Sequence, residues 1–175
     1  MVQPLMKLPS LAGLQPLARL DLRRAEDRDA AGIARLLGAA FPELDWSADR
    51  ARRDLFGDAS VAVIYVIDGS DGLLATAAAR YHAPYPGVGY VHWVGVDPAA
   101  RGQALGVAVM NAVLARFAAD GFTAAVLETD DPRLAAITSY LAQGFVPQYP
   151  DTDHEGRWSA VFSGLAAWRQ SKRGG

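Results

Sequence analysis

Val94-Gly95-Val96-Asp97-Pro98-Ala99-Ala100-Arg101-Gly102-Gln103-Ala104-Leu105-Gly106 reads as the end of a strand, a short turn and the start of a long helix. The strand covers 90–96 and stops at Asp97-Pro98. The helix covers 103–119, with Val107, Met110, Val113, Leu114 and Phe117 on one face and Gly121 as its stop. Such a junction aims unpaired backbone N–H groups at one point, and the helix dipole adds partial positive charge there. A pyrophosphate suits that field. Gly102 and Gly106 remove a Cβ from the approach, and Arg101 supplies a fixed charge at the rim. Tight packing alone also puts glycines at strand-to-helix turns. The G-x-x-x-x-G-K-[ST] and G-x-G-x-x-G patterns are both absent.

Upstream, 20–24 reads as a strand, and Ile33, Leu36, Leu37 and Ala40 mark a helix after Asp27-Arg28-Asp29. It ends near Phe41-Pro42, because the residue before proline avoids helical φ/ψ. Ser47 caps a second short helix that ends near Gly57. Residues 61–67 and 73–81 form a hairpin around the turn 68–72. Downstream come a strand at 124–129 and a helix from Asp131-Pro132 to about Gln143, stopped by Gly144. Strands at 145–149 and 158–162 follow, with a polar loop at 151–156 between them. The order is β-α-α-β-β-β-α-β-α-β-β, a mixed α/β sheet. The expected division is an extension at 1–18, a domain at 19–165 and a tail at 166–175.

Arg101-x-x-Ala104-x-Gly106 is similar to the R/Q-x-x-G-x-G/A signature of the GNAT acyltransferase superfamily, and 94–98 looks like the strand that precedes it there. Ala136-Ile137-Thr138-Ser139-Tyr140-Leu141-Ala142-Gln143-Gly144-Phe145 resembles that family's A-x-x-x-Y-x-x-x-G-F segment. The resemblance covers roughly 20–162 and is strongest over 90–145. It implies the GNAT fold with a splayed central strand pair. It also implies an N-acetyltransferase that moves an acetyl group from acetyl-CoA to an amine in a ternary complex, without a metal. A non-catalytic acyl-CoA-sensing domain is the other reading.

Carried over, the backbone of Val94, Gly95 and Val96 would pair with the CoA arm, in the manner of an added strand. Arg101, Gly102, Gln103, Ala104, Leu105 and Gly106 would hold the pyrophosphate. Ala104 stands where the family has its middle glycine; helical φ would suit it. Tyr140 would give a proton to the leaving thiolate; otherwise it is a packed aromatic. Arg133 replaces a frequent Asn and shares a helix face with Ala136 and Tyr140, facing a phosphate, a substrate carboxylate or solvent. The strand 90–96 has no carboxylate to act as base. Alternation puts Tyr90, His92, Val94 and Val96 on one face and Val91, Trp93 and Gly95 on the other, so His92 is the base candidate. A structural histidine, His82 and ordered water are the alternatives, and Glu128 points to the opposite face from Leu127 and Thr129. Residues 41–46 would wall the acceptor, with Glu43 and Asp45 suiting a cationic amine.

The 175 residues are 51% hydrophobic and 21% charged, with a net charge of −2 and no cysteine. This is the balance of one globular domain. Without cysteine there is no disulfide and no thiolate nucleophile, which suits a cytoplasmic setting. The charge offers nucleic acid no global field. Pro4, Pro9 and Pro16 break up any signal-like apolar run, and no apolar stretch approaches the ~20 residues of a membrane span. His154 among Asp151, Asp153 and Glu155 reads as a solvated loop rather than a metal site. A small-molecule amine or a protein amino group is the expected acceptor. A homodimer would pair through the last strand at 158–162.

Overall fold

The computed structural model describes residues 3–14, 19, 21–82 and 84–173. The chain divides into two compact units, one formed by 10–125 and the other by 1–9 with 126–175.

In the unit 10–125, four antiparallel strands lie side by side: β2 (Leu22–Arg24), β3 (Val61–Gly69), β4 (Gly72–Arg80) and β5 (Gly89–Val96). β3 and β4 form the expected hairpin, with Ser70 and Asp71 at its tip. Helix α1 (Ala30–Ala40) follows a 3-10 turn at Asp27–Asp29 and ends at Phe41, whose φ of −136° and ψ of 69° fit the residue before a proline. Ser47 caps α2 (Ala48–Ala51) by accepting a hydrogen bond from the Arg50 amide, and a π turn (Arg52–Phe56) continues it to Gly57. α1 buries Ile33, Leu36 and Leu37, and the π turn buries Leu55, with Ile64 and Val66 of β3. α3 (Leu105–Ala119) buries Val109, Met110, Val113 and Phe117 and packs against β3, β4 and β5. β4 is therefore buried along most of its length, and its small Ala75, Ala77, Ala78 and Ala79 fit that position.

In the other unit, which takes in β6 (Ala125–Glu128) from Val126 onward, β6, β1 (Leu5–Leu8) and β7 (Val146–Pro147) lie side by side in that order. β1 pairs antiparallel with β7 through Met6↔Pro147 and Lys7↔Val146. A strand within 1–18 is an element that sequence reading does not supply, and Met6 is wholly buried in it. Residues 1, 2, 15–18 and 20 lie outside the described set, as do 83, 174 and 175.

The carboxyl end corrects the expected order. Residues 158–162 are not a strand. They belong to α5 (Thr152–Arg173), which also takes in most of the expected loop 151–156 and tail. Trp158, Val161 and Leu165 are buried, and i, i+3, i+7 is the spacing of one helix face. Asp151 stands just before the helix: its carboxylate accepts from the His154 amide at 3.0 Å and lies 2.7 Å from His154 Nδ1. The strand edge on which a dimer was expected does not exist.

α4 (Leu134–Ala142) also begins later than Asp131-Pro132 suggests. The Asp131 carboxylate accepts from Arg157 Nη1 at 2.8 Å instead of capping the helix, and Arg133 is the N-cap residue, with φ −79° and ψ 49°. Arg133 thus precedes the helical face it was expected to share with Tyr140. No helix among the described residues is long and apolar enough to cross a membrane.

Candidate active site

The junction between β5 and α3 has the expected form with one local surprise. Asp97 caps a 3-10 turn (Pro98–Ala100), its carboxylate accepting from the Ala99 amide at 2.9 Å. Arg101, Gly102, Gln103 and Ala104 are exposed. Gly102 has φ +83° with nothing near a notional Cβ, so the backbone conformation demands this glycine, not crowding. Gly106 serves the other purpose, since a Cβ there would meet Val96 Cγ2 at 3.3 Å.

Ala104 is the surprise. Its φ of 55° and ψ of 20° are left-handed, not helical. α3 therefore starts at Leu105 rather than at 103, and Ala104 bears the strain a glycine would avoid. Ala104→Gly is expected to stabilise the fold by about 0.5–1 kcal/mol: it removes a left-handed penalty of roughly 1–2 kcal/mol and adds unfolded-chain entropy worth about 0.4–1 kcal/mol. Urea denaturation of the two proteins measures the difference.

Ala104 offers α3 no side-chain cap, and the first turn holds no acidic residue. The first amides of this 15-residue helix thus keep their capacity for an anion. These features fit a pyrophosphate.

β5 does not alternate as expected. Thr76 pairs with Gly95 and Ala78 with His92, so Ala77 alone faces Trp93 and Val94. This is a β-bulge, and Trp93 sits in it at φ +49°. A large side chain rarely adopts that conformation, which costs about 1–3 kcal/mol. The bulge inverts the parity of the strand. A Cβ at Gly89 would strike the Phe117 ring of α3, whereas one at Gly95 would meet Leu37 and Ala40 of α1. Trp93 packs edge-on against Phe41 and Trp46, with centroids at 5.3 and 4.8 Å. Val96 faces Gly106 of α3. Tyr90, His92, Trp93 and Gly95 therefore share the α1 side. His92 and Val96 do not share a face.

His92 is half-buried, its ring tilted against those of Tyr90 and Trp93 at 5.3 and 4.7 Å, and its Nδ1 atom is buried with no hydrogen-bond partner among the described residues. Burial pushes its pKa down to about 4; the charges of Arg80 and His82 push the same way, and Asp58 opposes them. Arg80 is itself fixed, donating to Ser60 Oγ at 2.6 Å and to Asp58 at 2.9 Å. Because folded His92 takes up its proton only near pH 4 and the unfolded chain does so near 6.5, acid favours unfolding. Stability is expected to fall by roughly 3 kcal/mol between pH 7 and 4 on this account. His92→Gln should flatten that slope in denaturant titrations at stepped pH.

Tyr140 and Arg133 lie in the other unit, apart in the chain division from 94–106 and His92. Tyr140 is 7% exposed. No hydrogen bond to its hydroxyl is present among the described residues. Burial raises its pKa, the Arg133 charge pulls it down and that of Asp130 pushes it up. α4 ends in a Schellman motif, with the Phe145 amide bonded to the Tyr140 carbonyl at 3.0 Å and Gly144 to Leu141 at 3.1 Å. Gly144 has φ +90°, and the Tyr140 and Phe145 rings lie 6.1 Å apart.

The profile of the acetyltransferase (GNAT) family matches residues 28–145. This chain belongs to that family. Among curated proteins, the mycothiol acetyltransferase of Nocardia farcinica is 30% identical over 135 residues, 70% of this chain and 44% of the relative. The chain spans less than half the length of the curated relatives it matches. Among solved structures, a GNAT-family acetyltransferase from Novosphingobium aromaticivorans superimposes with a TM-score of 0.64 at 22% identity, covering 83% of this chain and 60% of that one. A Brucella melitensis family member crystallised with acetyl-CoA gives 0.56 at 21% identity, covering 75% and 89%. These likenesses establish the shared GNAT fold.

Sequence reading gave no role to Trp93, Arg80 and Asp58, and included Trp46 only in the expected wall 41–46. Only the aromatic density of 90–93 hinted at them. Among the described residues, no cluster of metal-binding side chains occurs.

Proposed function

We propose that this GNAT domain is an N-acetyltransferase that moves an acetyl group from acetyl-CoA to an amine by direct attack. The observation that carries this reading is the start of α3: an exposed turn with left-handed Gly102 and Ala104, no side-chain cap and no first-turn acid. Arg101 and the amides of 102–106 would bind the pyrophosphate, and the backbone of 94–96 the CoA arm. Acetyl-CoA supplies the activated thioester.

The amine nitrogen forms its bond to the thioester carbonyl carbon, the C–S bond breaks and the sulfur departs with the electron pair. Tyr140 hydroxyl gives that sulfur a proton and is reprotonated from solvent. The attacking nitrogen loses a proton to His92 or to water. His92 is neutral at physiological pH, so it has capacity to accept. Its pKa of about 4 makes it a weak base, which favours water as the final acceptor of that proton. Arg133 would assist by charge near the cofactor. The relatives are named for acetylation of mycothiol, and a small-molecule amine is the acceptor class proposed here.

Thermal shift tests the reading. Acetyl-CoA at a hundred times its Kd should add about 2.7 kcal/mol, a rise of roughly 5–11 °C for a chain of this size. Free CoA and longer acyl-CoAs report which part of the molecule is held. No shift at millimolar concentration would overturn the proposal. A shift with no acetylation of any amine would instead favour the sensing role.

A further inference from the structure

Residues 3–8 touch the chain on both sides of α4, the helix that carries Tyr140. Before the helix, the Thr129 amide donates to the Pro4 carbonyl at 3.1 Å, and Gln3 Nε2 donates to Asp130 Oδ1 at 2.7 Å. After it, the Gln148 amide donates to the Leu5 carbonyl at 2.9 Å, and β7 pairs with Met6 and Lys7. At the helix stop, a Cβ on Gly144 would meet Leu8 Cδ1 at 3.4 Å, so the Leu8 side chain lies against that turn. Leu5, Met6 and Leu8 are buried. All of these residues belong to the unit formed by 1–9 and 126–175.

α4 needs such outside support. It has nine residues, from Leu134 to Ala142, and its N-cap Arg133 gives no side-chain bond to the first turn. A helix of that length is marginal on its own. Its start is set by the turn 130–133, closed by the Arg133 amide on the Asp130 carbonyl at 3.0 Å. Side chains from two elements tether that turn. Arg157 of α5 holds the Asp131 carboxylate at 2.8 Å, and Gln3, just before β1, holds that of Asp130.

The Tyr140 hydroxyl bonds to no group among the described residues, so no local hydrogen bond aims the oxygen. Its direction comes from where α4 stands and from the ring contact with Phe145. A misplacement near 1 Å costs a reaction about 10²-fold, so a helix start that wanders is felt at the proton transfer. The bond between Gln3 and Asp130 is exposed, and water replaces such a donor at little cost to the fold. Water does not replace its fixed direction.

We propose that Gln3 is a positioning residue for acetyl transfer: by holding Asp130 it fixes the start of α4 and, through the helix, the Tyr140 hydroxyl that protonates the leaving sulfur. This rests on the role given to Tyr140 above, and the test keeps the two apart. Thiol release from acetyl-CoA is followed with glucosamine, putrescine and 2-phenylethylamine as acceptors, for the parent, Gln3→Ala, Gln3→Arg, Tyr140→Phe and Gln3→Ala combined with Tyr140→Phe. Where none is acetylated, the slower hydrolysis of acetyl-CoA by water gives the same readout, since the sulfur leaves with the same acid. Gln3→Ala should lower kcat roughly three- to tenfold, leave KM for acetyl-CoA within about twofold and keep Tm within about 4 °C of the parent. Gln3→Arg, whose guanidinium still donates to a carboxylate, should recover most of the rate. In the Tyr140→Phe background, Gln3→Ala should change kcat by less than about twofold, a pattern that a merely structural loss does not produce. An equal loss in both backgrounds overturns the inference, as does a Gln3→Arg no faster than Gln3→Ala. So does an unchanged kcat in Gln3→Ala while Tyr140→Phe is slow, which leaves the role of Tyr140 standing. An unchanged kcat in Tyr140→Phe removes that role and this inference with it, and the absence of any thiol release removes acetyl transfer as well.

Discussion

Tyr140→Phe should lower kcat by roughly 10²–10⁴-fold, the range for loss of a positioned acid, while KM for acetyl-CoA stays within about twofold and the fold keeps its stability. The substitution removes one oxygen from a side chain whose hydroxyl bonds to nothing among the described residues. The ring contact with Phe145 and the backbone bonds that close α4 survive it. Deleting a hydroxyl that gains no hydrogen bond costs the folded state little and spares its desolvation. A large loss of turnover would therefore be chemical rather than structural. The raised pKa of Tyr140, caused first by burial, keeps the phenol protonated throughout the physiological range. The alkaline fall in turnover of the parent protein, as the donor proton is lost, should consequently lie above the range of an ordinary phenol. The variant should lack that alkaline limb. An unchanged kcat would leave Tyr140 as a packing residue and assign the proton to water.

The chain itself supplies a control for how much the segment 136–145 says. Phe117-x-x-x-Gly121-Phe122 repeats the spacing of Tyr140-x-x-x-Gly144-Phe145. The structure gives both the same helix stop: Gly121 has φ +88°, the Phe122 amide bonds to the Phe117 carbonyl at 3.0 Å, and their rings lie 6.1 Å apart. The Gly-Phe half of the motif is thus helix termination with its hydrophobic contact. Only the hydroxyl distinguishes Tyr140 from Phe117, which is why that single atom carries the prediction.

Helices stopped by Gly-Phe, the hairpin tip and the Ser47 cap were legible because one residue type dominates each local energy. The rest was not. Trp93 has no sequence preference for left-handed φ, so neither the bulge nor the reversal of faces that puts His92 with Trp93 could be read from alternation. Ala104 is among the best helix formers, and only tertiary closure at the start of α3 holds it at φ 55°. Residues 158–162 misled for a different reason: a five-residue apolar window cannot separate strand from helix. Extending it to Leu165 would have exposed the spacing of 158, 161 and 165, and Asp151 as the preceding cap.

Gly89→Ala is the substitution expected to harm the fold most. Gly89 begins β5, and its amide donates to the Ala124 carbonyl at 3.1 Å, so its backbone is fixed in place. A Cβ built there would lie 2.3–2.5 Å from three atoms of the Phe117 ring. Phe117 is fully buried in α3 and cannot swing away. Its backbone is held by the Schellman stop at 121–122, and its ring lies against Tyr81 and Phe122. Relief therefore demands movement of the helix or of the strand. Overpacking of this kind costs about 3 kcal/mol or more, a fall of roughly 6–12 °C in Tm for a chain of this size. The consequence reaches the proposed site, because α3 carries the turn proposed to bind pyrophosphate at one end and Phe117 near the other. Pushing the helix away from β5 would also loosen the contact between Gly106 and Val96. Gly89→Ala should therefore weaken acetyl-CoA binding, although it lies far along the helix from the turn itself. Gly89→Ala combined with Phe117→Leu should recover part of both losses, since the smaller side chain leaves room for the methyl. Urea denaturation and cofactor titration of the single and double variants measure this coupling. Additive losses would mean that the two positions do not contend for the same space.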